Sequence, residues 1–389
     1  MTVALLAGAA FFSAAALRIC DAMLPRLASD FSVTPGTAGQ VIIWFAVAYG
    51  LVQLLFGPMG DRYGKARLVR LALVGCAVAS LASALAPDFQ VLVWTRVAWG
   101  IAAAGVIPLA MAWIGDAVPY DQRQATLARL LTGTISGMMA GQLAGGLFAE
   151  SAAGWRAAFV SLSVGYSAVA LLLMVRARRA HASIASPARA ASQVPMAQQL
   201  LAVLRVPWAR VVLLAVLAEG FFLLGPLSYL PTYLHVHHRL PLSTASALAA
   251  LNAVGGLAYA FTARRIVARF GERRMALAGG WLMGCGFLAW WISALPWLAG
   301  PIALMVGFGT FLYHNTLQTH ATQMVPAARG TSVALFASFL FTGQAVGVTA
   351  TGYVVDHFGF TPVLLSAAVA LPLVGWGFAH ALGCRSAGD

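Results

Sequence analysis

The chain has 389 residues, of which 61% are apolar and 9% charged, and its formal net charge is +13. Soluble domains run to roughly 45–50% apolar and about 25% charged residues, so this chain cannot cover a water-exposed surface and is read as integral to a membrane. The basic excess does not mark nucleic-acid binding, because arginine and lysine sit in short segments between long uncharged runs rather than among polar and aromatic residues on one face.

Apolar helical runs are expected near 3–27, 37–58, 68–86, 90–115, 124–149 and 157–175, numbered helices 1 to 6. A second set lies near 209–233, 243–264, 275–294, 297–323, 330–353 and 360–382, helices 7 to 12. Arg18 and Asp21 interrupt the first run where a signal peptide is apolar, so it is read as a retained helix. A native start upstream of Met1 stays open. The fold class is all-α and integral to the membrane, with twelve transmembrane helices. Cys20, Cys76 and Cys285 lie in apolar runs and Cys384 near the end, so no spacing indicates a disulfide framework or a zinc site. No metal and no cofactor is expected.

The polar stretch 176–208 is rich in Ala, Arg and Ser and has no acidic residue. It separates 1–175 from 209–389 and reads as a cytoplasmic linker, either a plain tether or one carrying a short surface helix near 196–205. With the N-terminus inside, the outer loops hold only Arg26, Arg156 and Arg239, while loops such as 62–70, 123–129 and 264–274 hold most of the rest. That asymmetry places both termini in the cytoplasm.

The halves repeat one another. Leu24-Pro25 recurs as Leu230-Pro231, Arg62-x-Gly64 as Arg269-x-Gly271, Val118-Pro119 as Val325-Pro326, and Gly141-Gln142 as Gly343-Gln344. Six crossings per half make this a parallel repeat, two pseudo-symmetric six-helix bundles related by an axis along the membrane normal, an arrangement that major facilitator transporters exemplify.

Several motifs carry a family resemblance. Gly57-Pro-Met-Gly60-Asp61-Arg62-Tyr63-Gly64-Lys65-Ala66-Arg67 resembles the loop signature G-x-x-x-D-R-x-G-[RK]-x-[RK] of the major facilitator superfamily. Leu92-x-x-x-Arg96-x-x-x-Gly100 is similar to its helix 4 motif. Gly137-x-x-x-Gly141-Gln142-x-x-Gly145-Gly146 resembles its antiporter signature, with Gln142 where proline is usual, and Gly154-Trp155-Arg156-x-x-Phe159 resembles the segment after helix 5. The resemblance covers nearly the whole chain and is nearest to the drug:proton and sugar-efflux branch. It implies a major facilitator fold in the cell inner membrane, a small-molecule substrate, protons as co-substrate and a monomer.

Each motif also has a reading from its residues. Gly57 and Gly60 permit close backbone approach, and Gly64 permits a turn. Asp61 suits a helix N-terminus or a basic side chain, and Arg62, Lys65 and Arg67 suit carboxylates or lipid phosphates. The resemblance implies that this loop latches the two halves together. Ala268 and Arg264 stand at the positions matching Asp61 and Gly57, so the latch is expected to be one-sided. Gly133, Gly137, Gly141 and Gly145 form a smooth stripe that lets a neighbouring helix pack closely, as a fixed contact or one that slides, and Gln142 beside it is a cavity candidate.

A charge at a helix centre costs about 2.5–3.5 kcal/mol on insertion scales. Arg18, Asp21, Arg96 and Glu219 are therefore the candidate proton-coupling residues, Asp21 first. Arg18 with Asp21 also reads as a self-neutralising pair, and Arg96 also as a clamp on backbone carbonyls. Asn252, Tyr313, His314, Asn315, Gln318 and Gln344 either line the cavity or bond helix to helix. His235-Val-His237-His238 reads as a wet outer loop. No phosphate loop, paired-carboxylate or nucleophile constellation points to a pump driven by nucleotide or to a membrane enzyme. The expected function is proton-linked efflux of a small amphipathic molecule, drug-like or sugar-like. Proton-linked import of a sugar-like or organic solute, or a non-transporting sensor with the same fold, are the alternatives.

Overall fold

A computed structural model describes residues 2–179, 196–325 and 328–386. Pro326, half of one repeat motif, lies outside the described residues, as do residues 180–195 of the linker. Among the described residues nine helices are long and apolar enough to span a bilayer. One of them, Leu242–Ile292, has 51 residues and is broken at Gly271, φ 69°, so it supplies two crossings, helices 8 and 9. The broken first helix and Tyr120–Glu150 bring the crossings to twelve.

Helix 1 is Thr2–Arg18 followed, after a break, by Leu24–Phe31. Helix 2 is Gln40–Tyr63, helix 3 Lys65–Ala84, helix 5 Tyr120–Glu150 and helix 6 Gly154–Arg179. Helix 4 is Phe89–Ala103 continued by Val106–Ala117. Helix 7 runs through Pro207–Glu219, a π turn at Gly220–Leu224, Gly225–Ser228 and Leu230–His238. Helices 10, 11 and 12 are Ala299–Gln323, Arg329–Phe358 and Phe360–Ser386.

The repeat motifs mark matching backbone events. Leu24-Pro25 and Leu230-Pro231 each restart a helix after a break, proline being suited to a first turn where its missing N–H costs nothing. The first helix is thus two segments and ends at Phe31, not one run to residue 27. Gly64 and Gly271 both take positive φ at the helix 2–3 and 8–9 corners, where only glycine is unstrained. Gly141 and Gly343 press on Ala15 O and Leu217 O, the backbones of helices 1 and 7.

The glycine stripe of helix 5 packs on helix 1 of its own half. A Cβ added at Gly133, Gly137, Gly141 or Gly145 would strike the carbonyl oxygen of Ala7, Phe11, Ala15 or Ile19 respectively. The stripe is therefore a contact inside the first bundle, and the contact with the other half is made by its neighbour Gly146, against Leu242 O and Ser246 of helix 8. Buried apolar side chains gather in two main clusters, one dominated by residues 6–173 and one by residues 203–382. Of the two readings of the linker, a helix is found at Met196–Arg205; it buries Val203 and receives a hydrogen bond from Thr331 Oγ1 at Gln199 Oε1, 2.9 Å.

The halves are sealed on the face away from the basic loops. Asp356, near the end of helix 11, accepts hydrogen bonds from Thr34 Oγ1 (2.6 Å) and Gly36 N (2.9 Å) at the short helical turn Pro35–Ala38 that leads into helix 2. Gly36 lies directly against the Gly352 backbone, and further in the Tyr49 and Phe341 rings meet at 4.6 Å. His235, His237 and His238 are the last turn of helix 7, not a loop as the sequence suggests; His237 stacks on Tyr233 at 5.1 Å.

Candidate functional site

Between the bundles lies a cavity of about 1130 Å³, its mouth included. The interrupted helices 1 and 7 face it. Helix 1 loses helical geometry after Arg18 and helix 7 enters its π turn after Glu219, so each charged side chain sits beside backbone that is not regular α-helix. In a membrane such irregular backbone is tolerated where it lines a cavity, and π turns recur at functional sites.

The cavity wall collects Arg18, Asp21, Gln142, Glu219, Asn252, His314 and Gln344, with Met138, Met139, Phe311 and Phe341 among its apolar residues. Asp21 is 1% exposed, and its Oδ2 pairs with Arg18 Nη1 at 3.3 Å. Its Oδ1 is enclosed without a hydrogen-bond partner among the described residues, as is Asn252 Nδ2. Glu219 is 1% exposed, and both of its oxygens face His314 Nδ1, at 3.1 and 3.0 Å. The sequence offers Glu219 no partner in its own helix; the partner stands on helix 10, 95 residues away.

Other expected residues fall elsewhere. Arg96 is buried inside the first bundle, where Nε donates to Val41 O (3.0 Å) and Nη2 to Ala16 O (3.3 Å), and its guanidinium lies over Phe45 at 4.1 Å and Trp99 at 4.8 Å. That is the carbonyl clamp, and Arg96 does not line the cavity. Tyr313 is buried against Phe378, Asn315 Nδ2 donates to Tyr259 OH at 3.3 Å, and Gln318 is exposed; none lines the cavity. On one helix only one face meets a given space, and His314 takes it for this segment of helix 10.

The segment read as a loop is helical up to Tyr63 and again from Lys65, with only Gly64 at the corner; across it Lys65 Nζ is shared between Asp61 Oδ1 at 3.3 Å and Asp116 Oδ2 at the end of helix 4. Arg62 and Arg67 are exposed, and Gly60 packs under Leu109. Gly57 meets nothing within 4 Å among the described residues, contrary to the close approach expected of it. The second half holds a matching but inverted pair that the sequence does not reveal. Glu272 opens helix 9 as Lys65 opens helix 3, and it meets His320 Nε2 of helix 10 at 3.0 Å.

Comparison with known proteins agrees with this architecture. The family model described as Major Facilitator Superfamily matches residues 6–348. The uncharacterized MFS-type transporter YceJ of Bacillus subtilis is 26% identical over 90% of this chain and 90% of its own. A class G tetracycline resistance protein of Vibrio anguillarum is 27% identical over 74% of this chain and 73% of its own. Among solved structures, a D-xylose–proton symporter superposes with a TM-score of 0.75 at 16% identity, covering 97% of this chain and 96% of its own. A bacterial homologue of the human lysosomal transporter Spinster, inward-facing and occupied, gives 0.75 at 19% identity, covering 99% and 95%.

Proposed function

The chain belongs to the Major Facilitator Superfamily, and from that premise we propose that this multi-pass membrane transporter is a proton-coupled exporter of a small amphipathic molecule, drug-like or sugar-like. One observation carries the reading: a largely apolar cavity with one buried carboxylate from each bundle, Asp21 and Glu219, on its wall. Buried carboxylates in a membrane are expensive and mark ion or proton pathways. A carboxylate that exchanges its proton for substrate as the cavity turns from one side to the other couples the two fluxes. Relatives that include a tetracycline resistance protein favour export. The test is a comparison of deletion and overexpression strains across a panel of toxic amphipathic compounds. Overexpression is expected to raise tolerance to at least one compound and lower its accumulation, and a protonophore is expected to erase the difference. Equal accumulation in both strains for every compound contradicts export.

We place the basic loops in the cytoplasm of a bacterial-type inner membrane, with both termini there and the carrier acting as a monomer. The sealed face is then external, and this conformation receives substrate from inside. Reporter fusions after Ala185 and at the C-terminus are expected to read as cytoplasmic. An external signal from either contradicts the two-times-six arrangement.

The helix 2–3 corner from Gly57 to Arg67 is proposed to latch the halves when the cytoplasmic side closes, with Gly57 then meeting a partner from the other half. Asp61, 43% exposed and held by Lys65, is free to exchange partners. Asp61→Asn is expected to insert and purify normally yet lose at least tenfold in transport rate, measured as initial efflux from loaded cells. Unchanged efflux at wild-type expression would reduce the corner to a topology signal.

A further inference from the structure

Glu219 and His314 differ from the other charged pair in the cavity in a way that divides the work between them. Arg18 and Asp21 sit three residues apart on one chain segment, so Arg18 travels with Asp21 and neutralises it whichever way the cavity faces. Glu219 and His314 sit on different helices. Their distance depends on how helix 7 lies against helix 10, and helix 7 changes from α to π geometry at the residue after Glu219. A π turn holds one residue more than the α turn it interrupts, so a local shift between the two rotates the helix before it relative to the helix after it. Helix 11 backs helix 7 before, within and after that turn: Gly343 presses on Leu217 O, Gly220 on Leu340 O, Gly347 on Phe221 O and Gly225 on the Gly347 backbone. A change at the turn is therefore a change in how helix 7 lies against helix 11.

Both Glu219 oxygens lie within 3.1 Å of His314 Nδ1. With Glu219 as the carboxylate, which only accepts, Nδ1 is the donor of this contact. In a neutral imidazole Nε2 is then the basic nitrogen. Nε2 makes no hydrogen bond among the described residues and is not among the enclosed atoms, while the His314 side chain keeps 22% of its surface open against 2% for Glu219. Cavity water therefore reaches the imidazole more readily than the carboxylate. From the packed elements, the polar groups nearby are Tyr313 on helix 10, Asn252 on helix 8, Gln344 on helix 11 and, on the first bundle's wall, Gln142, Arg18 and Asp21. No arginine or lysine among the described residues of the second bundle lines the cavity beside the pair.

We infer that the coupling proton is held by the Glu219–His314 pair, with His314 as its port to the cavity, and that Asp21 with Arg18 serves the substrate instead. This inference rests on the proton-coupled reading and deepens it. In the step, a hydronium in the cavity gives its proton to Nε2 and leaves as water. The pair passes from a net charge of −1 to zero, either as imidazolium with carboxylate or, after Nδ1 yields its proton, as imidazole with carboxylic acid. Release reverses the step. A neutral pair is cheaper to enclose than a charged one, so proton occupancy biases which conformations helix 7 can take.

The experiment needs no substrate. Spin labels at Tyr63→Cys and Val267→Cys, in a background with the four native cysteines replaced, report the separation of the two bundles on the basic face in lipid nanodiscs. Wild type is expected to shift its distance distribution across about pH 5–8, the range in which imidazole changes charge. His314→Gln is expected to lose that shift, and so is Glu219→Gln, which serves alone if His314→Gln does not purify monodisperse. Asp21→Asn is expected to keep the shift although it no longer transports. A pH shift of wild-type size in His314→Gln or Glu219→Gln overturns the assignment to this pair. A shift lost in Asp21→Asn but kept in the other two moves the proton to helix 1. Absence of any shift in wild type overturns the proton-coupled reading itself.

Discussion

Asp21→Asn is expected to reduce transport to the level of empty vesicles while the protein still inserts. Asp21 is the ion-pair partner of Arg18, and it sits at the break in helix 1 on the cavity wall. Its second oxygen is enclosed and without a hydrogen bond among the described residues, which is a poor arrangement for mere structural neutralisation and a suitable one for a group that binds something in the transport cycle. Removing one partner of a buried pair costs about 3–5 kcal/mol. Arg18 is 19% exposed and part of that cost is relieved by water, so the loss of stability falls below this range. The double variant Arg18→Gln/Asp21→Asn separates the two effects. It is expected to regain thermal stability in detergent and to stay inactive. If the double variant transports as wild type does, the pair is only a neutralised structural feature. The measurement is initial efflux rate set against melting temperature for the two variants.

The largest structural effect is expected in the helix 5 stripe. Gly137→Val and Gly141→Val each drive a branched side chain into the helix 1 backbone, at Phe11 O and Ala15 O. Overpacking a core position costs about 1–3 kcal/mol. Here the struck atoms are main-chain carbonyls that no rotamer change can move, so each substitution is expected at or beyond the top of that range. The double variant is expected to give little or no monodisperse protein. Gly377→Val, on helix 12 where an added Cβ meets nothing within 4 Å, is expected to behave as wild type. Size-exclusion profiles after stepwise heating compare them. Equal profiles for Gly141→Val and Gly377→Val would mean that helices 1 and 5 are not in contact as described.

The sequence carried the architecture because a membrane leaves few solutions for an apolar chain with basic loops, and because the repeat motifs are backbone events. Leu24-Pro25 and Leu230-Pro231 restart helices, and Gly64 and Gly271 turn corners, in ways set by proline and glycine geometry alone. The helix 5 stripe was legible as a packing face, but its partner was not, since a smooth surface does not say which helix covers it. The charged residues of the cavity were legible by their cost in lipid. The Arg18–Asp21 pair was legible from its spacing, and the carbonyl clamp of Arg96 was one of its two readings, but the partner of Glu219 was not, because His314 stands 95 positions away on another helix. Tyr313, Asn315 and Gln318 share helix 10 with His314 but not its direction, and a polar run alone cannot say which member faces the cavity. Asp356 was not legible at all, because a carboxylate near a helix end reads as an ordinary surface group until the turn that leads into helix 2 is seen resting on it.

Proton-coupled export is the central claim, and everted membrane vesicles test it most directly. Respiration acidifies their lumen, a pH-sensitive fluorophore reports the gradient, and the compound that gave the largest tolerance difference between strains is added. A proton antiporter is expected to let protons out as the compound enters the lumen, so fluorescence recovers in wild-type vesicles and not in Glu219→Gln vesicles. Uptake of the compound should stop when nigericin collapses the pH gradient. Uptake that continues undiminished after nigericin, with no fluorescence recovery on addition of the compound, would contradict proton coupling.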